Sequence, residues 1–174
     1  MRPRLFHVSE DSTIARFEPR PVPSPDSGIA GLAVWAVAES YLPNYLLPRD
    51  CPRVCFRAGP NTSRLDRDRF LGAADRIVAF EAAWLDRVRA VKLALYGMPG
   101  DVFEEVLPHA GYWISRRTLE PSGVGIVDDA LSTIVMSGTE VRILQDFWTL
   151  SDAVAASTMQ FSIIRKRGAQ SRRG

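Results

Sequence analysis

Leu5-Phe6-His7-Val8-Ser9 is the stretch that decides how this chain is read. It has the look of a short strand, and side chains alternate across a strand, so His7 and Ser9 project to one face. One of only two histidines therefore stands beside a hydroxyl at the start of the fold. A neutral imidazole offers one donor and one acceptor and a hydroxyl offers both, so the pair can read the polar edge of a small ligand. A half-buried strand histidine bonded to a backbone carbonyl is the alternative reading of the same residues.

Outward from that strand, Leu32 to Val37 is apolar throughout and reads as a second strand, buried on both faces. Ser40 to Leu47 follows as a short helix, with Ser40 as its cap and Pro48 after its end. Between the two strands, Glu10 to Phe17 reads as a short helix or turn. Glu18 to Gly28 holds Pro19, Pro21, Pro23 and Pro25, so it is a loop. Later strands are expected at 52–57, 77–80, 91–98, 112–119 and 140–144, with a last one at 161–164. Helical spacing marks 81–89, 128–136 and 149–159. The total, roughly seven short strands and about four helices, is too irregular for a doubly wound sheet. Gly123-Val124-Gly125 is too short for a phosphate loop and has Pro121 just before it. A mixed α+β fold with a split mixed or antiparallel sheet and flanking helices fits best.

At 174 residues, 46% hydrophobic and 24% charged, the chain has the composition of a globular domain with a real core. We expect a single domain over residues 1–164 and a basic, disordered tail over 165–174. The longest apolar stretch, Ile29 to Ala38, is far short of a membrane span and the N-terminus carries no apolar leader, so a cytoplasmic protein without a membrane partner is expected. Cys51 and Cys55 lack two further ligands at metal-site spacing, so no metal is expected. The tail carries five of the 22 basic residues; removing them leaves 17 against 20 acidic ones, a balance of −3. Such an end can touch nucleic acid or an acidic partner. The body has no basic stripe interleaved with aromatics, so nucleic acid is not the favoured partner.

Leu5 to Ser9, followed by Ile14 and the proline-rich loop, resembles the first motif of the diphtheria-toxin-like ADP-ribosyltransferases, a strand bearing His-x-Ser or His-x-Thr. Val34 to Tyr45 is similar to their second motif, with Trp35 at the strand aromatic and Asn44-Tyr45 at the helical one. The whole chain also resembles an uncharacterised bacterial family with LFHVSE, CPRV, GYW(I/V)S and FSxIR stretches. The resemblance to the transferases implies an ADP-ribosyltransferase-like fold with NAD as substrate, used in ADP-ribosyl transfer or NAD glycohydrolysis. It implies that His7 and Ser9 contact the riboses and that Trp35 and Tyr45 stack the nicotinamide, with Tyr112 completing the pocket. Flat amide-bearing rings suit such aromatic stacking. The transferases' third motif, a glutamate at the start of a later strand, falls near Gly111 or Tyr112, and neither is acidic. Glu140 is the expected substitute, with Glu81 a further candidate. The alternatives from other classes are a non-catalytic module that binds an ADP-ribose-like nucleotide, and an interaction protein working through its basic tail. The acceptor is not legible in the sequence.

Overall fold

The structure is a computed structural model that describes residues 2–21 and 29–172. In chain order the strands are β1 (Leu5–Ser9), β2 (Arg20–Pro21), β3 (Leu32–Ala38), β4 (Arg53–Arg57), β5 (Arg76–Glu81), β6 (Leu93–Met98), β7 (Glu104–Leu107), β8 (Tyr112–Ser115), β9 (Gly123–Val127), β10 (Glu140–Leu144) and β11 (Gln160–Ile164). The α-helices are α1 (Arg64–Phe70), α2 (Leu85–Ala90), α3 (Ala130–Met136) and α4 (Phe147–Ala155). The fold is mixed α+β with two sheets, and the chain divides into two compact units: Met1–Leu42 with Leu93–Val127, and Pro43–Lys92 with Asp128–Gly174.

The first unit is an antiparallel sheet in the order β7-β8-β3-β1-β6-β9, with β2 attached to β3. One face carries Leu5, Val34, Ala36, Tyr96 and Met98, and Phe17, Phe103 and Leu119 close over it. Tyr96 is 1% exposed, and its hydroxyl donates to the Asp11 carbonyl at 2.9 Å while accepting from the Ile14 amide at 3.0 Å. That anchor explains why no helix forms over Glu10 to Phe17. The Asp11 carboxylate accepts from the Thr13 amide and hydroxyl, giving the backbone a local alternative to helical bonding. Phe17 and Leu119 exchange both backbone hydrogen bonds, so the expected strand at Thr118 and Leu119 is reduced to one bridge.

In the second unit the order is β10-β5-β4-β11, with β10 parallel to β5 and the other pairs antiparallel. Val54, Phe56, Ile77 and Ala79 pack against Phe70 of α1 and Phe147 and Val154 of α4. The opposite face carries Arg53, Cys55, Val78 and Phe80, all buried. Each long helix starts on a side-chain cap. The Ser63 hydroxyl accepts from the Asp66 amide, the Asp129 carboxylate from the Ser132 amide, and the Asp146 carboxylate from the Thr149 amide. The Asp146 cap starts α4 two residues before the expected Thr149.

Three strands escape the sequence pattern. β7 opens on exposed Glu104 and Glu105, β9 is interrupted by glycines, and β2 lies in the proline-rich loop, whose residues 22–28 are outside the described ones. The expected helix Ser40–Leu47 is a 3-10 helix over Glu39–Tyr45, because Pro43 lacks the N–H that an α-helix needs. Glu81 closes β5, and the expected helix opens as a 3-10 turn over Ala82–Trp84 before α2 begins at Leu85.

The basic end, read from sequence as a solvated tail, lies against the second unit through residue 172. Trp84 Nε1 donates to the Gly168 carbonyl and Trp148 Nε1 to the Gln170 carbonyl, at 3.2 and 2.8 Å. Arg167 pairs with Asp50 at 3.1 Å, and Arg172 grips Asp152 with two nitrogens while lying 4.3 Å from the Trp148 ring centre. Among the described residues no helix is long and apolar enough to cross a membrane.

Candidate functional site in the first unit

β1 stays paired with β6 from Leu5 to Ser9, but with β3 only at Leu5 and Phe6. The sheet therefore opens between β1 and β3 at His7. There the imidazole takes over from the backbone ladder: His7 Nδ1 lies 2.9 Å from the Trp35 carbonyl oxygen. A carbonyl only accepts, so Nδ1 carries the proton. The ring also leans on Phe17, at 4.9 Å between centroids. The histidine bonded to a strand carbonyl, one of two readings of the sequence, is thus present, and it fixes the tautomer. Ser9 Oγ accepts from the Asp11 amide at 3.1 Å, which turns the chain out of β1.

Register separates the five residues expected to line one pocket. Leu5 faces Ala38 and Phe6 faces Val37, so His7 and Ser9 project from the face of Ala36 and Ala38. Trp35 belongs to the other face with Val37 and Tyr112, and its ring meets Tyr112 edge-on at 5.3 Å. Tyr45 lies in the second unit. The structure thus keeps His7 with Ser9 and Trp35 with Tyr112, on opposite faces of one sheet.

The His7 face brings up residues the sequence reading passed over. Trp113 pairs with Ala36, and Glu105 pairs with Trp113, so Glu105, Trp113, Ala36 and His7 lie in a row across four strands. Ala36, between Trp113 and His7, is 3% exposed, and Phe17, Phe103 and Leu119 pack over this face. Tyr112 and Trp113 are adjacent, so alternation allows only one of them onto this face, and the register selects Trp113. Trp113 Nε1 is buried with no hydrogen-bond partner among the described residues, as is Trp35 Nε1. An unpaired buried donor costs about 1–3 kcal/mol.

At Gly111, one of the two positions where the resemblance would put the acid, a side chain has no room. Gly111 has φ +70°, and a Cβ there would come within 2.3 Å of the Tyr41 ring. Glu140 is exposed in the second unit and held by Arg142 at 2.8 Å. Glu81 is 2% exposed there and accepts from the Gln170 amide at 3.0 Å. Burial pushes the thiols of Cys51 and Cys55 up to about 12, so neither offers a thiolate nucleophile. Among the described residues no cluster of three or more His, Cys, Asp or Glu could hold a metal ion. A shallow depression of about 310 Å³ is lined by Asp101, Glu104, Ile114, Arg116 and Arg117 among others, and by none of the five expected residues. Its charges are mixed, and Arg116 already donates to the carbonyls of Ala30 and Leu32.

No curated protein and no solved structure matches this chain. A family model described as a family of unknown function (DUF6886) matches residues 6–169. That match takes in the histidine strand, the GYWIS strand and the CPRV strand together, and the chain belongs to this family of unknown function.

Proposed function

We propose that the protein is an ADP-ribosyltransferase-like domain whose first unit recognises an ADP-ribose-containing nucleotide, NAD being the substrate if it turns over. The observation that carries the reading is the His7 clamp. At the point where β1 and β3 part, the His7 ring is anchored through Nδ1 to the Trp35 carbonyl, and in this reading Nε2 accepts from a ribose hydroxyl. Trp113, on the same face with an unpaired indole N–H, replaces Trp35 as the aromatic partner in this proposal. Ser9, on the same strand and face as His7, remains a candidate for a contact farther along a dinucleotide.

Turnover needs an acid. Glu105 is the carboxylate in the His7 row, but three strand spacings of roughly 4.8 Å put its backbone about 14 Å from that of His7. That exceeds one ribose, so the two residues do not hold the same sugar. This distance favours binding without turnover as the second reading. Thermal unfolding with NAD and with ADP-ribose tests both readings, since a ligand of the folded state raises the midpoint. Release of nicotinamide from NAD, lost in His7→Ala, selects the enzyme. A raised midpoint without release selects the binding module, and no shift with either ligand removes both.

A further inference from the structure

β9 is the outermost strand of its sheet: β6 pairs one edge, and among the described residues no strand pairs the other. Val124 and Ile126, opposite Tyr96 and Ala94 on the face that carries the core, are nonetheless 55% and 57% exposed at this edge. Edges of this kind are usually blunted by lysine, proline or a bulge, and residues 122–127 have no charge and no proline. The glycines are equally telling. Gly123 and Gly125 do not adopt positive φ, and a Cβ on either would meet nothing within 4 Å among the described residues. Nothing among the described residues requires glycine there, although glycine weakens a strand. Glycine in a strand often marks the close approach of another backbone.

We propose that β9 pairs with β9 of a second copy of this chain, antiparallel about a two-fold axis at Gly125. The sequence is complementary to itself in that register. Gly125 faces its own copy, Val124 faces Ile126, and Gly123 faces Val127. Asp128 falls opposite Ser122, so no acid meets an acid. A two-fold axis at Ile126 instead sets Asp128 against Val124, and one between Val124 and Gly125 sets Ile126 against Gly123. Only the axis at Gly125 keeps the branched side chains together and the carboxylates outside. The contact is isologous and closes at two copies, and it is independent of the nucleotide reading.

Sedimentation equilibrium over a concentration series tests it on the full chain, together with Gly125→Lys and Gly125→Glu. Either side chain has room in the protomer, so circular dichroism should match the wild type. The wild type should rise with concentration to the mass of two chains. Each variant places like charge against itself across the axis and should hold the mass of one chain, while an equimolar mixture of the two should regain the doubled mass. A wild type that stays single at every concentration overturns the proposal and leaves the edge to a strand from another protein. Variants that still double on their own, or a mixture that fails to pair, overturn it as well.

Discussion

Arg53 sets the terms at the scale of single residues. It is 3% exposed, and its guanidinium donates to the carbonyls of Cys51 at 2.9 Å, Pro48 at 2.7 Å and Asn44 at 3.3 Å. One planar fork thus holds the turn that precedes β4, a task to which the point charge of lysine is poorly suited. Arg53→Met should cost on the order of 3–5 kcal/mol, the range for breaking up a buried charged group, with Arg53→Lys recovering only part of it in urea unfolding. The neighbouring thiols give a second expectation. Raised pKa values mean that Cys51 and Cys55 favour folding fully below the ordinary thiol pKa, and that this contribution is lost as pH climbs toward about 12. A thiol reagent at mildly alkaline pH should therefore modify neither cysteine in the native protein and both after unfolding; fast labelling of the native state contradicts the burial. At this scale the sequence told which residue types mattered, since His7 and the CPRV stretch stand out. It could not tell which side of the sheet each occupied, because Tyr112 and Trp113 are equally aromatic and only the pairing with Val37 and Ala36 separates them.

Among the elements, the C-terminal segment is held by contacts that composition conceals. Gly168 sits so close to Asp50 that a Cβ would lie 2.2 Å from that backbone oxygen. Gly168→Ala should therefore loosen residues 165–172, lower stability by about 1–3 kcal/mol as overpacking does, and make the end sensitive to protease. An unchanged cleavage pattern would show that the docking is not needed for order. Basic residues looked like a solvated tail because their partners, Asp50 and Asp152, lie 117 and 20 positions away in sequence. A second clamp joins α1 to the start of β11. The Asp66 carboxylate accepts from the Thr158 hydroxyl and amide at 2.6 and 2.8 Å, and the hydroxyl bond is the larger cause holding its pKa below the ordinary carboxylate value. A lowered pKa favours folding above the unfolded-state value, and the gain is lost as pH falls through the folded one. Asp66→Asn should lower stability in the neutral range and flatten the acid limb, so that the two proteins converge at low pH; an unaltered acid slope would deny the clamp a role. The strands with strong β-branched runs, β3 and β5, were plain in the sequence. β7 and β9 were not, because they sit at the margins of the first sheet, where pairing on one side suffices and side-chain pattern is relaxed.

For the molecule as a whole, two sheets with their own cores replace the single split sheet that the chain order suggested, and the nucleotide reading rests on the first of them. That unit keeps one half of the expected constellation, the histidine at the strand opening, and sets the expected indole on the reverse face. Only long-range register could have decided this. The chain has two histidines, and His109 lies exposed in the turn before β8, so each titration carries its own control. Addition of ADP-ribose to protein labelled with nitrogen-15 in histidine should move the His7 Nε2 resonance in a saturable way, with Nδ1 still protonated, and leave His109 in place. If both histidines stay fixed through a large excess of ADP-ribose, His7 does not read a ribose and the proposed function is wrong.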